Sequence, residues 1–238
     1  MVRIDLNKGS RSQRQARENR RRQALRQAIV QAAERVMIRH GYAALTMDDV
    51  AREAEISKAT VYNYFRSKGE LVLELFIYYF EKFYRSLVRI KAETKPAKEK
   101  LRDIIAIFLR FSRETETISR ALIMDKAFLK KMKILVGEAG ESSDREKNLI
   151  AEIKKQREKI IKEGSNIITE GITRGEFRPI DPIVTVRLIE SLLQGFVHTR
   201  FWNPTRLPLE KETEILLDFI FWGLGQKNES EEMKGAGA

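Results

Sequence analysis

A seven-residue segment of the chain, Lys58 to Tyr64, combines one cation, one amide, one aliphatic hydroxyl and two phenols. Lysine and asparagine side chains bond to base edges, and hydroxyl and phenol groups reach phosphate and sugar oxygens. Two tyrosines so close together suit a polar surface better than a core, which would leave their hydroxyls without partners. Each residue alone is equally compatible with an ordinary exposed helix, but the ordered set favours contact with nucleic acid.

Two short helices are predicted to position these groups. Thr46 and Asp49 form a capping box that begins the first helix, and Ser57 caps the second. On the second helix, Val61 and Phe65 fall on one apolar side. The polar and aromatic residues of the segment are therefore expected to face outward.

A third, preceding helix must complete the core, because two helices of this length bury little apolar surface alone. The pattern before Gly41 predicts this helix, and Gly41 is a good C-cap residue. Its apolar residues recur at three- and four-residue spacing: Leu25, Ala28, Ile29, Ala32 and Val36. The three helices together predict a helix-turn-helix domain over residues 21–68.

The segment Ser57 to Phe65, followed by Ser67-Lys68 and a long helix, resembles the DNA-binding motif of the TetR family of transcriptional regulators. The resemblance covers roughly residues 21–75, with a weaker one near the C-terminus. It implies an all-α fold, with an N-terminal three-helix helix-turn-helix DNA-binding domain and a C-terminal helical ligand-binding and dimerisation domain. It implies phosphate contacts for Thr46, Tyr62, Tyr64 and Lys68. The residues nearest the bases would be Lys58, Ala59, Thr60 and Asn63, with Lys58 as the expected guanine reader.

One position departs from the pattern of that family. The turn between the two short helices usually holds glycine in the family, whereas this chain has Glu55. A positive φ at Glu55 would cost on the order of 1 kcal/mol relative to glycine, so we expect a slightly remodelled turn. The carboxylate also lies near the expected DNA side, where it would weaken affinity or tilt the second helix.

The positive charge of the chain is concentrated at its N-terminus. The formal net charge is +11, and residues 1–26 carry nine basic and two acidic side chains. We expect residues 1–20 to form a disordered basic arm that neutralises phosphates and reaches into a minor groove. The alternatives are a solubilising extension and a membrane-surface segment, and the scarcity of large apolar residues argues against the second.

The composition argues against several other classes of site. The chain has no cysteine, and its two histidines, His40 and His198, are too far apart in sequence to suggest a metal cluster. It has no phosphate-binding glycine loop, nucleophile elbow or zinc spacing, so we expect no enzyme activity, no metal and no cofactor. Without a predicted membrane span or signal peptide, we expect a cytoplasmic protein with no membrane partner.

The remainder of the chain predicts a second helical domain over residues 69–225 and a disordered tail at 226–238. Ser67 and Glu70 form a capping box for a long helix that ends near Ile90. This helix connects the DNA-reading domain to the second domain.

The last two predicted helices, residues 182–202 and 210–225, are more apolar than a single core-facing stripe requires. Asp181 caps the first of them. A second apolar face requires a partner, so we expect a homodimer with a four-helix interface and twofold symmetry. The expected interface residues are Leu188, Leu192, Phe196, Ile215, Phe219 and Trp222. The alternative is that both faces are covered within one subunit.

An effector pocket is expected among the middle helices of the second domain. Aromatic and methionine side chains at helical spacing are its candidate walls: Phe76, Tyr79, Phe83, Phe108, Phe111, Met124, Phe128, Met132 and Trp202. At any single position, core packing is the simpler interpretation. The pattern has no convergent charge cluster and therefore favours an apolar or amphipathic ligand, such as a fatty acyl derivative or an aromatic compound.

These patterns predict a dimeric repressor that reads a palindromic operator in double-stranded DNA through the major groove. A small-molecule effector, whose identity the sequence does not give, would release it. The alternative is a sequence-tolerant architectural or division-linked DNA-binding protein on the same scaffold, bound mainly through its arm and through phosphates. A preference of roughly a thousandfold for specific over non-specific DNA would distinguish the first from the second.

Overall fold

The computed structural model of the chain describes residues 6–114, 116, 143–202 and 207–224. All regular secondary structure in these ranges is helical, which confirms the predicted all-α fold class. The helices are α1 (Leu6–Ala44), α2 (Met47–Glu53), α3 (Lys58–Tyr64), α4 (Lys68–Lys91), α5 (Ala97–Glu114), α6 (Asp144–Thr173), α7 (Pro182–Trp202) and α8 (Leu209–Leu224).

The chain divides into two compact units. The first contains Met1–Phe76 and Ala121–Ile150, and the second contains Ile77–Arg120 and Ala151–Ala238. Helices α4 and α6 therefore contribute residues to both units. The sequence-based boundary falls after residue 68, the first residue of α4, whereas the division in the structure falls further along that helix, between Phe76 and Ile77.

Two features tie the beginning of α4 to the first unit. Leu71 and Leu75 are buried at 0% and 1% exposure. Glu74 forms a two-pronged ion pair with Arg26 of α1, with Arg26 Nε 3.2 Å from Glu74 Oε2. The first turns of α4 are thus part of the core that supports α3.

Helix α1 begins at Leu6, so most of the expected disordered arm is helical. Residues 11–26 are rich in arginine, glutamine and alanine and contain no proline, and these residues are good helix formers. Extending a helix that the core has already nucleated costs far less than starting one. At its other end, Gly41 adopts φ 77° and ψ 168° and interrupts the helix where the sequence predicted its end.

The core of the first unit lies among α1, α2 and α3. Helix α1 buries an apolar stripe of Ile29, Val30, Ala32, Ala33, Val36 and Met37. Val50 and Ala51 are buried on α2, and Val61 is buried on α3. Phe65, which follows α3, is fully buried, and the Arg26 guanidinium lies 5.0 Å from the centre of its ring. These contacts hold α3 with its polar residues outward.

The core of the second unit is formed by α5, α6, α7 and α8. Its buried residues are Ala97, Leu101, Ile105, Leu109, Ile167, Ile168, Phe177, Leu193, Leu216, Leu217, Ile220 and Leu224. Gly171 has to be a glycine, because the Phe177 ring occupies the space of a Cβ there. Helix α7 begins as predicted, with the Val184 N–H donating to Asp181 Oδ1 at 2.8 Å.

Three ion pairs, each with one buried partner, join helices within this unit. Lys100 of α5 lies 3.1 Å from Glu170 of α6. Glu212, only 2% exposed in the first turn of α8, lies 3.2 Å from Arg200 and 3.9 Å from Arg113. Paired charges at these positions avoid the cost of burying a lone carboxylate.

Candidate nucleic-acid interface and ligand cavity

Helix α2 begins at Thr46, as the sequence predicted. The Asp49 N–H donates to Thr46 Oγ1 at 3.1 Å, and the Thr46 hydroxyl donates to Asp49 Oδ2 at 2.5 Å. The bond from Thr46 and the nearby charge of Arg52 lower the pKa of the Asp49 carboxyl. Thr46 therefore acts as the cap of α2, and its phosphate contact stays a prediction.

The turn between α2 and α3 is not remodelled, in contrast to the expectation for a chain with Glu55 in place of glycine. Glu55 adopts φ 56°. Its N–H donates to Arg52 O at 3.2 Å, and the Ile56 N–H donates to Ala51 O at 3.0 Å. These are the two bonds of a Schellman motif. The bonds and the flanking helices outweigh a backbone strain on the order of 1 kcal/mol.

Helix α3 presents most of its predicted DNA contacts to solvent. Its cap is Ser57, whose Oγ accepts from the Thr60 N–H at 3.0 Å. Tyr62 is 44% exposed, and Lys58, Ala59 and Asn63 are also exposed, whereas Thr60 and Tyr64 are half-buried. Both hydroxyls at the start of the helix are engaged locally, since Ser57 Oγ and Thr60 Oγ1 lie 2.7 Å apart.

Lys58, the predicted guanine reader, is held by a carboxylate of α2. Its Nζ lies 2.7 Å from Asp48 Oδ1 and 2.9 Å from Asp48 Oδ2. The hydrogen bond and the charge of Asp48 raise the pKa of the Lys58 ammonium. DNA must therefore compete with Asp48 for this side chain. Sequence reasoning did not identify the pairing of Lys58 with Asp48.

Lys68, a predicted phosphate contact, is the first residue of α4. Its ammonium lies 3.9 Å from the centre of the Tyr42 ring, a cation–π partner that sequence reasoning did not identify. Ser67 caps the helix by accepting from the Glu70 N–H at 3.1 Å. The Glu70 carboxylate accepts from the Arg66 N–H at 2.9 Å, so the predicted Ser67–Glu70 pairing stabilises this helix start from both sides.

A basic cleft of about 300 Å³ lies beside α3. It is lined by Asn19, Arg22, Gln23, Arg26, Asn63, Tyr64 and Arg145. Arg145 belongs to α6, 81 positions from Tyr64 in the chain, and sequence reasoning did not identify it. No local spacing signals such a contact, because it depends on how α6 packs against α3.

The second unit contains an apolar cavity of about 170 Å³. Phe83 and Phe108 of the predicted effector residues line it, with their rings in an edge-to-face contact at 6.1 Å. The lining that the prediction missed includes Phe80, Ile104, Ile161, Gly164, Val186 and Leu193. These residues come from α4, α5, α6 and α7, so no single helical stripe marks the cavity.

One ion pair lies in the polar part of the cavity lining. Arg157 of α6 binds Glu190 of α7 through two hydrogen bonds of 2.7 Å. Both residues and Gln194 line the cavity, whose other walls are almost entirely apolar. The hydrogen bonds to Glu190 raise the pKa of Arg157, so the guanidinium stays charged.

The other predicted effector residues are not in this lining. Tyr79 and Phe111 contact each other edge to face at 5.0 Å in the same unit. Phe76 belongs to the first unit. Met124, Phe128 and Met132 lie outside the described residues, as does the side chain of Trp202.

The expected dimer face is largely exposed in the single chain. Leu188, Ile215, Phe219 and Trp222 are 65%, 58%, 67% and 88% exposed. Leu192 and Phe196 differ, because they pack partly against the core of the second unit. Ile183 and Val184 extend the apolar surface and were not among the predicted residues. A groove of about 410 Å³ follows this face between α7 and α8.

The described ranges contain neither a candidate metal site nor a candidate membrane span. No group of three His, Asp or Glu side chains there is arranged to hold a metal ion. None of the described helices is long and apolar enough to cross a membrane.

Comparison with known proteins agrees with the helix-turn-helix. Residues 29–75 match the model of the tetR family of bacterial regulatory proteins. The HTH-type transcriptional regulator YhgD of Bacillus subtilis (strain 168) is 28% identical over 186 residues, which is 78% of this chain and 87% of YhgD. The fatty acid metabolism regulator protein of Bacillus subtilis (strain 168) is 24% identical over 209 residues, covering 84% of this chain and 95% of that protein.

Solved structures share the fold over most of the chain. FadR from Bacillus subtilis in complex with stearoyl-CoA superposes with a TM-score of 0.57 at 21% identity, over 83% of this chain and 98% of FadR. This likeness concerns the fold alone. Because a capped helix-turn-helix occupies the region that the family model matches, this helix-turn-helix domain belongs to the TetR family of bacterial regulatory proteins.

Proposed function

We propose that the protein is a dimeric transcriptional repressor that binds a palindromic operator through the major groove and is released by a small amphipathic effector. The observation that carries the DNA-binding part is the outward polar face of α3, with Lys58, Tyr62 and Asn63 exposed on a helix capped at Ser57. A recognition helix needs such a face, because bases are read by side chains that reach their edges. The protein would act in the cytoplasm, where the chromosome is.

The dimer is supported by the apolar face of α7 and α8. Trp222 and Phe219 are 88% and 67% exposed, and large apolar side chains so exposed in one patch favour an interface. A twofold dimer would present two α3 helices, and two half-sites bind more tightly than one.

The effector class is supported by the lining of the cavity in the second unit. Its apolar walls and the single Arg157–Glu190 pair suit a ligand with a long apolar part and a polar end. Stearoyl-CoA, which is bound in the FadR structure, has this character. The cavity of about 170 Å³ is smaller than typical ligand sites of about 300–1,000 Å³, so such a ligand would have to move the lining helices apart.

A second candidate is a sequence-tolerant DNA-binding protein. The basic helix α1 favours it, because Arg17, Arg20, Arg21 and Arg22 are exposed on one extended element and contact with phosphates needs no base sequence. Selection of DNA fragments from a random pool, followed by titration of the selected and scrambled sequences, separates the two. A preference below about tenfold would favour the second candidate over an operator reader, for which about a thousandfold is expected.

The effector is tested on the purified protein without DNA. We expect stearoyl-CoA to raise the Tm, because a ligand that binds only the folded chain stabilises it. Coenzyme A without the acyl chain is the control. An equal effect of both compounds would contradict an apolar acyl site.

A further inference from the structure

We propose that Arg145 is a positioning residue for the DNA-reading helix, through which α6 controls the orientation of α3. The proposal deepens the proposed function and rests on it, since it assigns how the cavity and the reader are coupled. The long helix α4 is the connection that the sequence suggests, and Arg145 adds a second one through α6.

The first observation is a contact at the end of the reader. Arg145 Nη2 donates to the backbone oxygen of Tyr64 at 3.1 Å. Tyr64 is the last residue of α3, and carbonyls of a final turn have no partner within their own helix. A guanidinium there satisfies one of them and also interacts favourably with the negative end of the helix dipole. Arg145 thus fixes the C-terminal end of a helix of only seven residues.

The second observation concerns the residues between α3 and α4. Arg145 Nη1 lies 3.7 Å from Glu70 Oε2, and Glu70 is 3% exposed. The same carboxylate oxygen accepts from the Arg66 N–H at 2.9 Å. One guanidinium therefore touches the reader through Tyr64 and the start of α4 through Glu70.

The neighbouring residue of α6 strengthens this attachment. Ser67 Oγ donates to Glu146 Oε1 at 3.3 Å, and Glu146 is 6% exposed. Polar contacts excluded from water depend strongly on geometry, because a misplaced partner leaves a desolvated charge. The first turn of α6 therefore holds the connector from Tyr64 to Glu70 in one arrangement.

The third observation is what the rest of α6 contacts. The helix is continuous for 30 residues, and further along it Ile161, Gly164 and Ile167 line the cavity of the second unit. Val186 Cγ1 would lie 3.2 Å from a Cβ at Gly164, so α6 and α7 are in close contact here. In this proposal, a ligand that fills the cavity displaces α6, and the shift is transmitted along the helix to Arg145. A shift of about 1–2 Å, common for helices in switching proteins, would break a hydrogen bond of 3.1 Å.

The direct test compares Arg145→Ala with Lys147→Ala. Lys147 is an exposed cation in the same turn of α6. Its ammonium lies 3.4 Å from Asp144, three residues earlier in the same helix. Both variants remove one positive charge, so non-specific DNA binding should fall equally. We expect Arg145→Ala to lower affinity for the selected operator about tenfold more than Lys147→Ala. Its ratio of specific to non-specific affinity should fall by the same factor.

Arg145→Lys keeps the charge but has no planar fork for two acceptors at once. We expect an intermediate ratio for this variant. Arg145→Ala should also lower the Tm, because the buried Glu70 carboxylate loses a nearby cation, so DNA binding is compared at a temperature at which all three variants are folded. If Arg145→Ala and Lys147→Ala have the same specificity ratio, the positioning role is overturned. If Arg145→Lys behaves like the parent, charge alone explains the effect and the hydrogen-bonding role is overturned.

The coupling is tested with stearoyl-CoA as the probe. In the parent protein, stearoyl-CoA should weaken operator binding by a factor of about 5–150, the usual range for coupled sites. In Arg145→Ala this factor should fall but stay above one, because the connection through α4 remains, while the DNA-free variant binds stearoyl-CoA as tightly as the parent. An unchanged factor would overturn transmission through Arg145. Failure of stearoyl-CoA to bind the parent would instead overturn the proposed effector class, and the specificity ratio would still decide the positioning role.

Discussion

At the scale of residues, the proposed DNA-reading face already makes hydrogen bonds and ion pairs within the DNA-free protein. Lys58 is paired with Asp48, and the Thr46 hydroxyl is shared with Asp49. On binding, these contacts must be exchanged for contacts with DNA. A DNA sequence that offers Lys58 no acceptor leaves the lost ion pair with Asp48 uncompensated. Such an exchange lowers the affinity for every DNA sequence, and it lowers it most for sequences without an acceptor for Lys58.

The first prediction separates base reading from phosphate binding. Lys58→Ala should relax the preference at one operator position by about 1–3 kcal/mol, because the lost contact is to a base. Lys68→Ala should weaken binding to all sequences alike and reduce the slope of log affinity against log salt by about one unit. Titration of operator variants at several salt concentrations measures both. Equal losses that ignore sequence in the two variants would refute the assignment.

The second prediction concerns the backbone of the turn at Glu55. Glu55→Gly should stabilise the protein by up to about 1 kcal/mol, because glycine adopts a positive φ without strain. The relief of strain should exceed the entropic cost of ordering the more flexible glycine on folding. Glu55→Ala is the control, since it removes the charge but keeps a Cβ. Denaturant unfolding should therefore distinguish the two variants. DNA affinity should rise equally in both if the carboxylate repels phosphates.

At the scale of elements, the helical state of α1 changes how its arginines reach DNA. A helix with its side chains is about 10–12 Å wide, whereas the minor groove is about 6 Å wide. While α1 stays helical from Leu6, its basic residues cannot enter that groove as a flexible arm would. We therefore expect them to lie along phosphates instead.

The third prediction follows from this geometry. Deletion of residues 1–20 removes six basic and two acidic side chains but leaves the buried stripe of α1, which begins at Ile29. Folding should survive, and operator affinity should fall with a smaller dependence on salt. Ala16→Pro keeps every charge and breaks the helix, so it reports whether the helical state matters. Unchanged affinity and salt slope in the deletion would show that the segment takes no part in binding.

At the scale of the whole molecule, the proposed regulation depends on two readers at a fixed separation. Half-sites on one side of DNA recur about every 34–36 Å, so the proposed dimer must hold its two α3 helices at a matching distance. In this proposal the exposed face of α7 and α8 sets the distance, and a ligand in the cavity changes it.

The fourth prediction tests the dimer. Phe219→Glu places two charges in a twofold apolar contact, where a charge without a partner costs several kcal/mol. We expect monomers in sedimentation and loss of operator binding. Val88→Glu is the matched control, because Val88 is 40% exposed on α4, outside this face. Leu192 is less suitable as a test, since it packs against the core and a charge there would also destabilise the subunit. A Phe219→Glu protein that stays dimeric would place the interface elsewhere.

The fifth prediction is that effector and operator exclude each other thermodynamically. A ligand seated against Phe83 would tilt α4, which connects to the reading helix, and alter the spacing of the two heads. Whatever factor the ligand imposes on operator affinity, operator must impose on ligand affinity, within about 5–150-fold. Titration of stearoyl-CoA into the protein with and without operator measures both. Equal ligand affinity for the two forms would favour the architectural function.

The features that the sequence determined by itself are those that depend on residues three or four positions apart. The caps at Thr46, Ser57 and Asp181 are of this kind, and each forms in the structure. So are the apolar stripes that make the fold all-α and the helix-turn-helix that identifies the family. Local hydrogen bonds and helical periodicity depend on residues that are close in the sequence, which explains why these features could be predicted.

Tertiary structure alone decided the features that join distant segments. Arg145 meets Tyr64 across 81 positions, and the cavity draws its walls from four helices. Packing also decided that Phe219 is exposed while Leu192 is partly buried, although both are apolar residues on the predicted dimer face. A spacing pattern states which side of a helix is apolar. It does not state which neighbour covers that side, because this depends on the free energy of packing the whole chain.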